Sequence, residues 1–169
     1  MKHLPLITTL AISTAGPAAA DVFVRFIEGA PKDRFEIVSD TGVCTDSALE
    51  FVLDLTGSAG KLIFDVTERG AGVEVYQPFE LVTGVQRVIG TPKVADGDKM
   101  LSMVLDRMPA GSEVAFTIDV DDTIGAREIT VARSEIVGAR AVLRSGGVEA
   151  SATFDESATA QVNWADCPA

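Results

Sequence analysis

From Asp21 onward, apolar and polar residues alternate with a period of two, and that pattern leaves few folds open. Glu113–Asp121 shows it most cleanly. Val114, Phe116, Ile118 and Val120 fall on one side, Glu113, Ala115, Thr117, Asp119 and Asp121 on the other. Leu49–Leu55 behaves alike, with Leu49, Phe51, Leu53 and Leu55 opposed to Glu50, Val52 and Asp54. Further strand-like segments are Val22–Ile27, Arg34–Ser39, Lys61–Val66, Val73–Val82, Gln86–Ile89, Met100–Leu105, Glu128–Ala132, Ala139–Arg144, Val148–Phe154 and Ala160–Trp164. Turn formers such as Asp40-Thr41-Gly42, Asp96-Gly97 and Gly146-Gly147 separate them. No segment holds helical spacing beyond a turn or two. Ten or more short strands predict an all-β chain, a single-domain antiparallel β-sandwich of jelly-roll or immunoglobulin-like type. Gly147–Trp164, with its small residues, reads as an edge hairpin around Asp155–Ala158.

The length of 169 residues suits one domain with its own core. No run of about 20 apolar residues occurs, so no helix is predicted to span a bilayer. Acids outnumber Lys and Arg by 25 to 14, which argues against a nucleic-acid partner, since phosphate neutralisation needs clustered cations.

Residues 1–20 read as a secretory signal peptide. Lys2 and His3 give a positive start, Leu4–Ala15 an apolar stretch, and Ala18-Ala19-Ala20 a small-residue cleavage site. The expected mature domain is residues 21–169, exported to the periplasm or the extracellular medium. His3 is the only histidine. Once it is cleaved away, Ser-His-Asp and Cys-His catalysis and histidine-ligated metals lose the imidazole they need. Cys44 and Cys167 are an even pair in an exported chain, which fits a disulfide tying the C-terminal tail to the first third of the domain. Two free thiols or a metal pair are the alternatives.

The densest polar group is Asp119-Val120-Asp121-Asp122-Thr123. Asp119 and Asp121 share a strand face and Asp122 enters the following turn, so Asp119, Asp121 and Asp122 form a candidate calcium cluster of hard oxygen ligands. The spacing is not that of an EF-hand, because Ile124 and Thr130 stand where that loop needs Gly and Glu. The plain alternative is a solvated acidic strand end balanced by Arg127. Asp96-Gly97-Asp98 and Asp40-Thr41-Gly42 are turn sequences first, each able to lend a ligand. A glycosidase needs two acids across a cleft, and the sole Tyr and Trp, Tyr76 and Trp164, offer little stacking surface for sugars. Tyr76 reads as a half-buried strand residue, and Trp164 as packing near Cys167. No catalytic motif is present, and a non-enzymatic protein is expected.

Three segments carry a family resemblance: RFIEGAPKDRFEIVSDTGVC (Arg25–Cys44), LDLTGSAGKLIFDV (Leu53–Val66) and AFTIDVDDTIGAREITVARSEIVGA (Ala115–Ala139). They resemble small secreted bacterial proteins similar to the core (Wreath-type) domain of the sponge aggregation factor, over roughly Asp21 to Leu143. The resemblance implies an extracellular role in adhesion, calcium-linked self-association or cell-surface attachment, with a protein or glycan surface, or a second copy, as partner. No N-x-S/T acceptor is present, since Asn163 precedes Trp164-Ala165. The rival expectation is a carbohydrate-active enzyme, or a carbohydrate-binding module with a face built around Tyr76 and Gln77.

Overall fold

The computed structural model describes residues 20–43, 45, 47–68, 76–124 and 130–164. Cys44, Cys167, Arg127 and the signal-like residues 1–19 lie outside them. The described chain forms twelve strands and no α-helix: β1 (Ala20–Ile27), β2 (Asp33–Ser39), β3 (Leu49–Asp54), β4 (Ile63–Phe64), β5 (Glu80–Thr83), β6 (Val88–Ile89), β7 (Met100–Leu105), β8 (Ser112–Ile118), β9 (Val120–Asp121), β10 (Arg140–Ser145), β11 (Val148–Thr153) and β12 (Thr159–Trp164). Two five-stranded antiparallel sheets, ordered β12-β1-β2-β8-β5 and β11-β10-β3-β7-β6, pack as a β-sandwich. A third, two-stranded ladder joins β4 to β9.

The alternation seen in the sequence builds the core directly. Val22, Val24 and Phe26 of β1, Phe35 and Ile37 of β2, and Val114, Phe116 and Ile118 of β8 point inward from the first sheet. Leu49, Phe51, Leu53, Leu101, Met103, Leu105, Ala141 and Leu143 meet them from the second. Phe116 lies at the centre of the aromatic packing. Its ring stacks on Phe35 at 5.2 Å between centroids and tilts against Phe79 at 5.1 Å, while Phe26 meets Phe35 at 5.2 Å.

Several sequence expectations change in the folded chain. Lys61–Val66 contracts to the two residues of β4, and Gln86–Ile89 starts as a single 3₁₀ turn, Val85–Arg87, before β6. The segment around Asp155–Ala158 is an arch rather than a hairpin. β11 pairs with β10 in one sheet and β12 with β1 in the other. Trp164 is buried in the core. Gly57 and Gly138 explain one close approach: a Cβ on Gly138, whose φ is +91°, would lie 2.4 Å from the Gly57 carbonyl oxygen. Only paired glycines let the loop 57–60 and the loop 135–138 touch backbone to backbone, where Ala59 N–H donates to Val137 O at 2.8 Å.

A buried carboxylate cluster at one end of the sandwich

At one end of the sandwich the ladders break, and four aspartates enter the interior. β8 ends at Ile118, which pairs with Asp33 at the start of β2. The chain then jogs at Asp119 before β9. Asp119 O accepts a hydrogen bond from Asp65 N at 3.1 Å, and Asp119 N donates to Gln77 O at 3.1 Å. β9 pairs Asp121 with Ile63 of β4, and this brings Asp65 alongside. Relative exposure is 2% for Asp33, 1% for Asp65, 4% for Asp119 and 3% for Asp121. The face that carries Asp119 and Asp121 is therefore not the solvated side of a strand.

Burying carboxylates together works against their ionisation twice, through lost hydration and through mutual repulsion. Burial pushes Asp33 up to about 8, helped by Asp119 and Asp121 and opposed by the Gly29 N–H, which donates to Asp33 Oδ1 at 3.0 Å. Burial, then Asp121 and Asp65, raise Asp119 to about 7. Asp65 rises to about 6, through burial and then through Asp121 and Asp96, whose carboxyls lie within hydrogen-bonding reach. Asp96 behaves in the opposite way. The Thr67 hydroxyl, with the Val66 and Thr67 amides, holds it below the usual carboxylate range.

Two oxygens of this cluster, Asp65 Oδ1 and Asp119 Oδ2, are buried without a hydrogen-bond partner. Native proteins rarely leave such atoms unsatisfied, and each costs about 1–3 kcal/mol. Hard, acceptor-only groups of this kind are what a calcium ion takes as ligands. Among the described residues, no three acidic side chains already stand in a metal-ligating arrangement. A cation would have to draw them inward.

Of the residues singled out from sequence, Asp119 and Asp121 enter the cluster. Asp122 is buried beside it, but its Oδ1 accepts from Ile124 N at 2.9 Å, capping the turn. Asp96 joins through Asp65, whereas Asp40 lies at the exposed end of β2. Sequence reasoning missed Asp33 and Asp65. Asp65 had a signal, a lone acid in the apolar run Leu62-Ile63-Phe64-Asp65-Val66; Asp33, between Lys32 and Arg34, had none. Tyr76 is 37% exposed and lies outside any strand, beside the Gln77 backbone that bridges Asp65 and Asp119.

The raised carboxyls fix a pH dependence for the metal-free protein. In the unfolded chain these acids ionise near 3.8, but in the fold Asp65, Asp119 and Asp33 keep protons to about 6, 7 and 8. Between those limits the native state binds more protons than the unfolded state, so stability falls as pH rises. Thermal unfolding in chelator should give a clearly higher midpoint at about pH 5 than at about pH 8. A midpoint that is level or rises across that range would contradict the burial of these groups.

No family model, curated protein or solved structure matches this chain.

Proposed function

We propose that this chain is an exported, non-enzymatic binding module of the adhesion type, whose fold is completed by a calcium ion. The supporting observation is the buried group of Asp33, Asp65, Asp119 and Asp121 with its two unpartnered oxygens. Calcium accepts six to eight oxygens in flexible geometry, so four carboxylates on three separate segments can close around it. Magnesium, which holds its waters in a rigid octahedron, suits such a dry site less well. The resemblance of Arg25–Cys44 and Ala115–Ala139 to the aggregation-factor core supports the same reading.

Burial also favours binding over hydrolysis. A glycosidase acid must reach the glycosidic oxygen, and Asp33 and Asp119 are closed off by the surrounding strands. A metal held at that depth acts on the fold rather than bridging to a partner. Its role is to fix the loops that carry it, and the partner surface lies elsewhere on the domain.

Calcium titration followed by thermal unfolding tests this reading. A ligand bound only by the native state, at about 100 times its dissociation constant, adds about 2.7 kcal/mol. For a domain of this size that is a rise of about 5–10 °C in midpoint. The rise should be larger at about pH 8 than at about pH 5, where protons compete for the same oxygens. Equal midpoints in millimolar calcium and in chelator would rule the reading out.

A further inference from the structure

Under the arch that links β11 to β12, Arg25, Ile27, Glu28, Arg133, Ser157 and Thr159 line a cleft of about 400 Å³. Arg25 stands on the outer face of the first sheet, opposite Thr159 on one side and Glu36 on the other. Acids are plentiful in this chain, and some of its cations use them: Arg34 pairs with Glu36 at 2.9 Å, Arg144 with Glu149 at 2.7 Å, and Lys32 with Glu80. Among the described residues, neither the Arg25 nor the Arg133 guanidinium has a carboxylate partner. Glu28, in the same cleft, is held by the backbone: its Oε2 accepts from Arg133 N at 3.0 Å. Two arginines without a carboxylate partner among the described residues therefore line one cleft in a protein of net charge −11.

We propose that this cleft binds an acidic polysaccharide through its uronate carboxylates. The guanidinium fork matches a planar carboxylate in charge and geometry. The other groups in the cleft suit a sugar ring better than an acidic peptide. The Thr159 hydroxyl and the free lone pairs of Ser157 Oγ and Glu28 can meet ring hydroxyls, and exposed Ile27 offers an apolar surface to a C–H face. A peptide of repeated Asp or Glu brings no ring hydroxyls to these groups.

The cleft also adjoins the carboxylate cluster. The loop from Glu28 to Asp33 forms its wall and then supplies Asp33, held by the Gly29 N–H. Four neighbouring carboxylates repel an anion, and a divalent ion among them offsets that repulsion, so calcium should strengthen binding. This coupling, unlike the cleft itself, rests on the cation reading proposed above.

Binding of trigalacturonate by calorimetry, in millimolar calcium, tests the proposal. The Arg25→Gln/Arg133→Gln double variant should bind at least about tenfold more weakly. Both side chains are exposed, so its unfolding midpoint should stay at the parent value and confirm that it folds. The methyl-esterified trisaccharide should not bind. Equal binding by parent and double variant, or equal binding of the ester, overturns the proposal; comparable binding of a polyglutamate peptide overturns the polysaccharide assignment. If the Arg-dependent binding is unchanged in chelator, the coupling fails and the cleft stands. If calcium stabilises the fold but trigalacturonate does not bind, the cleft fails and the cation site stands.

Discussion

Phe116→Ala is expected to destabilise the domain by about 3–5 kcal/mol, enough to lower the unfolding midpoint by at least about 6–10 °C. Phe116 is fully buried in β8 between β2 and β5. Its ring contacts both Phe35 and Phe79, so truncation removes two aromatic pairs and leaves a cavity at the centre of the core. The neighbours cannot collapse into that space, because β8 is held by ladders on both sides. A second effect should follow at the carboxylate end. Ile118 and Asp119 continue from the same strand, so loosening β8 should also weaken the response to calcium. Chemical denaturation of parent and variant, with and without calcium, checks both. A loss below about 1 kcal/mol would mean that the aromatic cluster is not packed as described.

Asp65→Asn should give effects of opposite sign in the two metal states. In chelator, the asparagine amide can donate to Asp121 and Asp96 where a carboxylate could only repel them. It also takes one negative charge out of the interior. The metal-free variant should therefore be more stable than the parent at neutral pH, by about 1–3 kcal/mol. In calcium the order should reverse. The amide supplies one neutral oxygen where the carboxylate supplies two charged ones, so most of the roughly 2.7 kcal/mol from the ion should vanish. Unfolding midpoints of both proteins in both buffers give the full cycle. A variant destabilised equally in the two buffers would identify Asp65 as a purely structural residue. One stabilised equally in both would show a carboxylate cluster that takes no ion.

The same cluster shows where reading from sequence stops. Asp119 and Asp121 stood out because an alternating strand placed them on one face; in the structure β8 ends at Ile118, Asp121 belongs to β9, and both aspartates are buried. Their burial was not visible, because β9 is two residues long and owes its cover to β4 and to the backbone at Gln77. Asp33 could not be found at all. Its neighbours Lys32 and Arg34 give it the look of a solvated turn, and only its pairing with Ile118, some 85 positions away, turns it inward. The cleft had no sequence signal either, since Arg25 and Arg133 belong to segments far apart in the chain.

Local chemistry set the strands. Period-2 patterning and turn residues are properties of neighbouring residues, so β1, β2, β3, β7, β10, β11 and β12 could be read directly from the chain. The two sheets, the arch that sends β12 to β1, and the meeting of Asp33 and Asp65 with Asp119 and Asp121 were decided only by the tertiary structure. Strand pairing is a long-range choice, fixed by which faces bury the most apolar surface together. A carboxylate's charge state depends in turn on what that choice leaves around it.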